Sequence, residues 1–428
     1  MRKRIGLSLL ILLFLGLNVF LTQKVIALET EEGFVSLFNG ENLDGWVKRG
    51  GDATYRVADG EIIGECQPGP FNTFLCSEQE FGDFILKLDF KVAVPGNSGV
   101  QFRSHARPDV ENRERVFGYQ AEIDPSDVND TGRIYDEGRR GHQYGIIWLD
   151  RTPDDKLVEA RAAYKPGEWN EMEIQCVGPS IRTWINGVQV VNFFDYLDLS
   201  GFLALQVHAG NQGTIHWKNI RIKDLGVSEW HPFFVDGKDG KQLVAAYKFV
   251  PECWKFNDEE GYLIGYHTKT EVRDGLIVSD GQYDNFAARV TYQINGGNSA
   301  LYFRAEEVNT SWLLRGYQNE IAGNEAEAGI WHTAGDQQPG RGWLGKNEEL
   351  VKKLRNENDW NTICSIAYKD RIMTFLNGFN IVDINDPEGE KIGKLGLQLH
   401  GGADVEMKFK DFEVLPITPQ MQRLIDRE

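Results

Sequence analysis

GYQAEID (Gly118–Asp124) returns about two hundred residues later as GYQNEIA (Gly316–Ala322), and its alternation decides the fold class. Successive side chains of an extended strand fall on opposite faces. Tyr119, Ala121 and Ile123 therefore share one face, which reads as core, while Gln120, Glu122 and Asp124 share the other. Flanking stretches repeat in the same order. NSGVQFRS (97–104) answers NSALYFRA (298–305), EWNEMEI (168–174) answers DWNTICS (359–365), and LALQVHAG (203–210) answers LGLQLHGG (395–402). The offset drifts only between 191 and 201 residues, as small loop changes would produce. FILKLDFKV (84–92) and IHWKNIRI (215–222) carry the same period of two, with β-branched and aromatic residues between Gly, Asn and Asp. Asn186-Gly187 and Asn377-Gly378 each lie between apolar runs, the pattern of a two-residue hairpin turn. Helical periodicity is confined to residues 346–357 and the C-terminal end. The expectation is an all-β chain of two homologous β-sandwich domains, 31–226 and 229–416, with a short tail at 417–428.

The 428 residues, 41% hydrophobic and 26% charged, read as ordinary globular protein. A formal charge of −18 argues against nucleic acid and anionic membranes as partners and suits a neutral ligand. MRKR, a long apolar run from Ile5 to Leu21, and Val25-Ile26-Ala27 have the layout of a secretory signal peptide over 1–27. Cleavage after Ala27 would give a secreted or periplasmic protein with no stable membrane insertion. The alternative is an uncleaved N-terminal anchor, for which the run is long enough. The five cysteines are odd in number and sparsely spaced, which excludes a disulfide scaffold and a zinc site. Cys66 and Cys76 are either a pair in an oxidising compartment or free thiols.

Extending the parity argument puts Gln101 and Arg103 opposite Val100 and Phe102, and Gln206 and His208 opposite Leu205 and Val207. Three strands side by side would then form a polar floor of amide, guanidinium, carboxylate and imidazole groups, suited to sugar hydroxyls. The plainer alternative is a solvated outer face. Copy two repeats the floor as Arg304, Gln318, Glu320, Gln398 and His400, but Ala322 stands where copy one has Asp124. It also lacks the loop at 132–145, which carries Tyr135, Asp136, Glu137, Arg139, Arg140 and His142. Its counterpart, 326–343, offers His332, Asp336 and Arg341. The first copy is therefore expected to be the active one.

At these residues the chain resembles the 3-keto-disaccharide hydrolase family. FVSLFNGENLDGW (34–46), NSGVQFRS, GYQAEID, YDEGRR (135–140), EWNEMEI, WINGV (184–188) and the closing stretch 203–225 carry the likeness. The resemblance implies a concanavalin-like jelly roll and a secreted enzyme that cleaves glycosides already oxidised to a ketone at C3. Such a ketone acidifies the C2 proton, and its removal gives an enolate that expels the group on C1; water adds back afterwards. This route needs a base near C2, donors for the enolate oxygen and an acid for the leaving group. The resemblance implies Glu122, Asp124, Tyr135, Asp136 and His208 as catalytic groups. It implies Arg103, Gln120, Glu137, Arg139, Arg140 and Gln206 as substrate-binding groups. No cofactor is required; a divalent metal, if used, would draw on Glu122, Asp124, Asp136 and His208. Two rival classes are a non-catalytic, lectin-like carbohydrate-binding protein and a retaining glycanase using Glu122-Ile123-Asp124, whose strand Pro125 interrupts.

Overall fold

The computed structural model describes residues 31–238, 240–308, 313–334 and 339–427. The signal-peptide reading of 1–27 and the candidate Asp336 lie outside the described residues. The chain is all-β, with two tandem sandwiches of jelly-roll type. In the first, a six-stranded front sheet runs Trp46–Gly50, Thr73–Phe81, Gly201–Val207, Ser98–Pro108, Glu114–Ile123, Ile134–Glu137. It packs on an eight-stranded back sheet centred on Asp83–Val94. Phe84, Leu86, Leu88 and Phe90 from the back meet Val100, Phe102, Tyr119, Ala121 and Ile123 from the front. The core side of GYQAEID is thus the side that alternation assigns to it. The second sandwich repeats the plan with seven front strands and eight back strands.

Both Asn-Gly pairs make two-residue turns with φ of 50° and 80° at Asn186 and Gly187, and 49° and 85° at Asn377 and Gly378. Two consecutive left-handed residues define the turn whose twist matches a hairpin. The asparagine that opens the preceding strand of the same domain, Asn170 or Asn361, locks each turn. Asn186 Nδ2 donates to Asn170 Oδ1, and Asn377 Nδ2 to Asn361 Oδ1, both at 2.9 Å.

The front sheet is interrupted by a bulge. Between Phe102 and His105 the register shifts, and Arg103 adopts φ 44°; Arg304 does the same at 46° in copy two. An extra residue in one strand bends it and re-aims the side chains beyond. The hairpin past the bulge curls over the outer face of the sheet. Val116 packs there with Phe74, Cys76, Phe202 and Ala204, and Arg113 reaches Asp52 and the carbonyl of Gly50 on the opposite edge.

The domains share a third apolar cluster, in which Phe194 and Tyr196 pack with Cys364, Met373, Phe375 and Leu415. The helix Pro419–Ile425, capped by Thr418, closes it with Ile425. All five cysteines are free, so Cys66 and Cys76 do not pair. No helix among the described residues is long and apolar enough to cross a membrane.

Candidate active site

The polar floor exists, and its centre is a relay of amides. Ser104 Oγ donates to Gln101 Oε1 at 2.6 Å, Gln101 Nε2 to Gln120 Oε1 at 2.9 Å, and Gln120 Nε2 to Glu122 Oε2 at 2.9 Å. Asn97 Nδ2 donates to the other oxygen of Glu122. Gln120 reaches Glu122 by crossing Gly99, the residue paired with Glu122 on the next strand. A Cβ there would lie 2.4 Å from the Gln120 amide carbon, so only glycine leaves the passage open. From the same position Gln120 touches Gln206 Oε1 at 3.4 Å. The Nε2 of Gln206 is buried without an acceptor among the described residues.

Tyr135 and Glu137 join this face because Tyr135 pairs with Gln120 and Glu137 with Gly118. Asn72 Nδ2 donates to Glu137 at 3.4 Å, and the Ala209 amide holds Asn72 at 2.8 Å. Under the curled hairpin a cavity of about 280 Å³ is walled by Glu137, His208, Asn72, Phe71, Arg113 and Arg115. Glu122, only 5% exposed, is not in that wall but is near enough to Glu137 to feel its charge. Burial pushes the Glu122 carboxyl up to about 7, further than its two amide donors pull it down, and the charges of Asp124 and Glu137 add to the rise. Burial also raises Glu137, against the pull of Arg115, Asn72 and His208. Tyr135 is pushed up to about 12, again mainly by burial.

Glu122, Gln120, Tyr135, Glu137, Gln206 and His208 are therefore brought together as expected, with Gln101, Asn97, Asn72 and Arg115 added. The other expected residues are placed elsewhere. Arg103 is turned by the bulge into a buried slot, where it donates to the carbonyls of Gly82 and Gly178 and pairs with Asp83 at 2.8 Å. Asp124 lies one residue past the strand end and spends its carboxylate on its own loop, accepting from Ser126 and the Asp130 amide. Asp136 pairs with Tyr119 and so faces the core side of the sheet. There Arg139 and Arg140 both donate to it, Arg140 also pairs with Asp195 at 2.8 Å, and Arg139 with Asp198 at 2.6 Å. These five charged groups form a largely buried strut behind the site. With Asp124 and Asp136 turned away, the four expected metal ligands are not brought together. Among the described residues no group of three or more His, Cys, Asp and Glu side chains is placed to hold a metal.

Copy two keeps the plan and changes the wiring. Asn298 donates to Glu320 at 2.5 Å, while Gln318 donates to Gln398 at 3.0 Å and Gln398 to Asp274 at 2.6 Å. Ala300 occupies the position of Gly99, so the relay ends on Asp274 and Glu320 has one amide donor. The Asp124-to-Ala322 change is structural. Glu327 holds this turn instead, accepting from the Gly323 amide at 2.7 Å and from the Ala322 amide, the latter as Thr131 does from the Asp124 amide in copy one. Its carboxyl is also pushed up to about 7 by burial.

Two carboxyls raised from 4.5 to about 7 bind protons in the folded chain over a range where the unfolded chain has released them. Their contribution to stability is complete below about pH 4.5 and is lost as pH rises through 7. Urea midpoints across this window are expected to fall with rising pH, and Glu327→Gln is expected to flatten that slope. An unchanged slope would mean that Glu327 is ionised throughout.

Comparison with known proteins gives this geometry a family. The model of the 3-keto-alpha-glucoside-1,2-lyase-like domain matches residues 33–223 and again 229–415. The chain belongs to that family. No curated protein matches it. Among solved structures, a candidate glycosyl hydrolase from Parabacteroides distasonis is 22% identical, with 46% of this chain and 95% of that chain covered and a TM-score of 0.32. The carbohydrate-binding module CBM66 from Bacillus subtilis is 15% identical, with 42% and 96% covered and a TM-score of 0.30.

Proposed function

We propose that the first domain of this 3-keto-alpha-glucoside-1,2-lyase-like protein cleaves 3-keto-glycosides by removing the C2 proton and eliminating the C1 substituent. The observation that carries the reading is Glu137 in the wall of a small cavity with Glu122 on the same sheet face within reach of its charge, two carboxyls in unequal surroundings. Glu137, in the cavity wall with Arg115 and Asn72, is the base and in its ionised form takes the C2 proton. The C2–H electrons form the C1–C2 double bond through the enolate, and the C1–O bond breaks. Glu122, protonated below about pH 7, returns a proton to the departing oxygen. Water then adds across the double bond, its oxygen to C1 and a proton to C2. Groups pushed to different pKa values can divide acid and base work in this way. The free Nε2–H of Gln206 is a donor for the enolate oxygen, the group whose charge grows in the transition state. Secretion through the N-terminal leader belongs to the same proposal.

A 3-keto-glucoside should release its aglycone while the unoxidised glycoside does not. A C2-deuterated 3-keto substrate should react more slowly or lose its label to solvent. Full retention of label without an isotope effect would instead indicate displacement at C1. A second reading, binding without turnover, has support in the four floor amides, Asn97, Gln101, Gln120 and Gln206, which hydrogen-bond but do not titrate. Tight binding of a 3-keto-glucoside with no aglycone release would select it.

A further inference from the structure

The front face of the second domain holds a cleft of about 690 Å³, against about 280 Å³ in the first. Trp331 and Trp343 form one side, edge to face with ring centroids 5.1 Å apart. Trp343 is 40% exposed, and Val272 on the rim is 70% exposed, which is much apolar surface to leave in water. The floor below is polar, with Asp274, Gln398, Glu320 and His400. Neither lysine nor arginine contributes to the wall, unlike the first cavity with Arg113 and Arg115.

Tyr302 supplies an independent sign of a ligand. It lines the cleft at the position of Gln101, whose amide is satisfied on both sides. The Tyr302 side chain is 0% exposed; Thr333 and Gln318 lie near its hydroxyl, but neither makes a hydrogen bond of good geometry with it among the described residues. Copy two has thus exchanged an amide bonded on both sides for a loosely held hydroxyl at the base of an aromatic-sided cleft.

We propose that the second domain is a separate binding site for a neutral oligosaccharide chain, longer than the ligand of the first. Sugar rings would stack their C–H faces on Trp343 and Trp331, and a ring hydroxyl would pair with Tyr302. Two neighbouring carboxyl groups and no lysine or arginine in the wall disfavour acidic sugars. The inference rests on the carbohydrate reading of the family and not on catalysis by the first domain.

The test is calorimetric titration of the full chain with cellohexaose, maltohexaose and laminarihexaose, each variant first checked for native melting. At least one hexasaccharide is expected to bind. Trp343→Ala should weaken binding about tenfold through lost stacking, and Tyr302→Phe roughly fivefold. The first-domain variant Glu137→Gln should leave it unchanged. Binding that survives both second-domain substitutions, or no binding by any of the three sugars, overturns the proposal. Failure of the 3-keto-glucoside assay leaves this measurement untouched, so the two readings fail separately.

Discussion

Glu137→Gln and Glu122→Gln are each expected to lower turnover of a 3-keto-glucoside by about 10²–10⁴-fold, the usual worth of a positioned acid or base. Both substitutions are nearly isosteric. The donors to Glu122, Asn97 and Gln120, and the donor to Glu137, Asn72, can each bond an amide oxygen instead. The folded state should therefore be kept, and native melting of each variant is the control. The wild-type profile of kcat/KM should fall above about pH 7 as Glu122 loses its proton. Asp124→Asn, by contrast, touches only the loop that follows the strand, and turnover should stay within a few fold. A dead Asp124→Asn enzyme beside an active Glu137→Gln one would show that the chemistry lies at the strand end and not under the hairpin.

Arg140→Ala is expected to destabilise the chain by about 3–5 kcal/mol, the cost of leaving the buried Asp195 without its cation and Asp136 with only Arg139. Arg140 is held between Asp136 and Asp195 and donates in addition to the carbonyl of Gly378 in the second domain. One truncation removes these three hydrogen bonds and leaves Asp195 with Tyr119, at 2.5 Å, and the Leu197 amide as donors. Urea midpoints of wild type and variant at neutral pH check the magnitude. A shift near zero would mean that the two aspartates are protonated once the arginine is removed. The same strut explains why YDEGRR, though rich in charge, contributes only Tyr135 and Glu137 to the site.

Much of this was readable from residues alone. The repeat, the alternation of GYQAEID and the Asn-Gly turns carry fold information locally, because strand parity and turn type depend on neighbours in sequence. Parity also placed Gln120, Glu122 and Gln206 on one face. It failed at Arg103, because a bulge adds one residue that no composition signal marks. It failed at Asp124, because the strand stops one residue earlier at Ile123. Parity also separates Asp136 from Tyr135 and Glu137, with which it alternates, and the structure pairs it with Tyr119 on the core side. Asn97 was signalled by its recurrence as Asn298 ahead of the same strand. The long-range pairing of Asn72 with Glu137 has no local trace. Glu327, which holds the turn around Ala322 in copy two, has no counterpart signal at Asp124 from which the sequence would reveal it.

The contact of Arg140 with Gly378, with Tyr144 against Phe379 at 5.3 Å, has a consequence for how such a chain can change over generations. The hairpin tip of one half props the loop that borders the cavity of the other. A recombination event that replaced either half with a freely folding relative would have to import the matching tip or loop at the same moment. The duplicated halves have therefore ceased to be exchangeable parts. Selection acts on them as a single heritable piece, and drift in the second half is constrained by the geometry of the first.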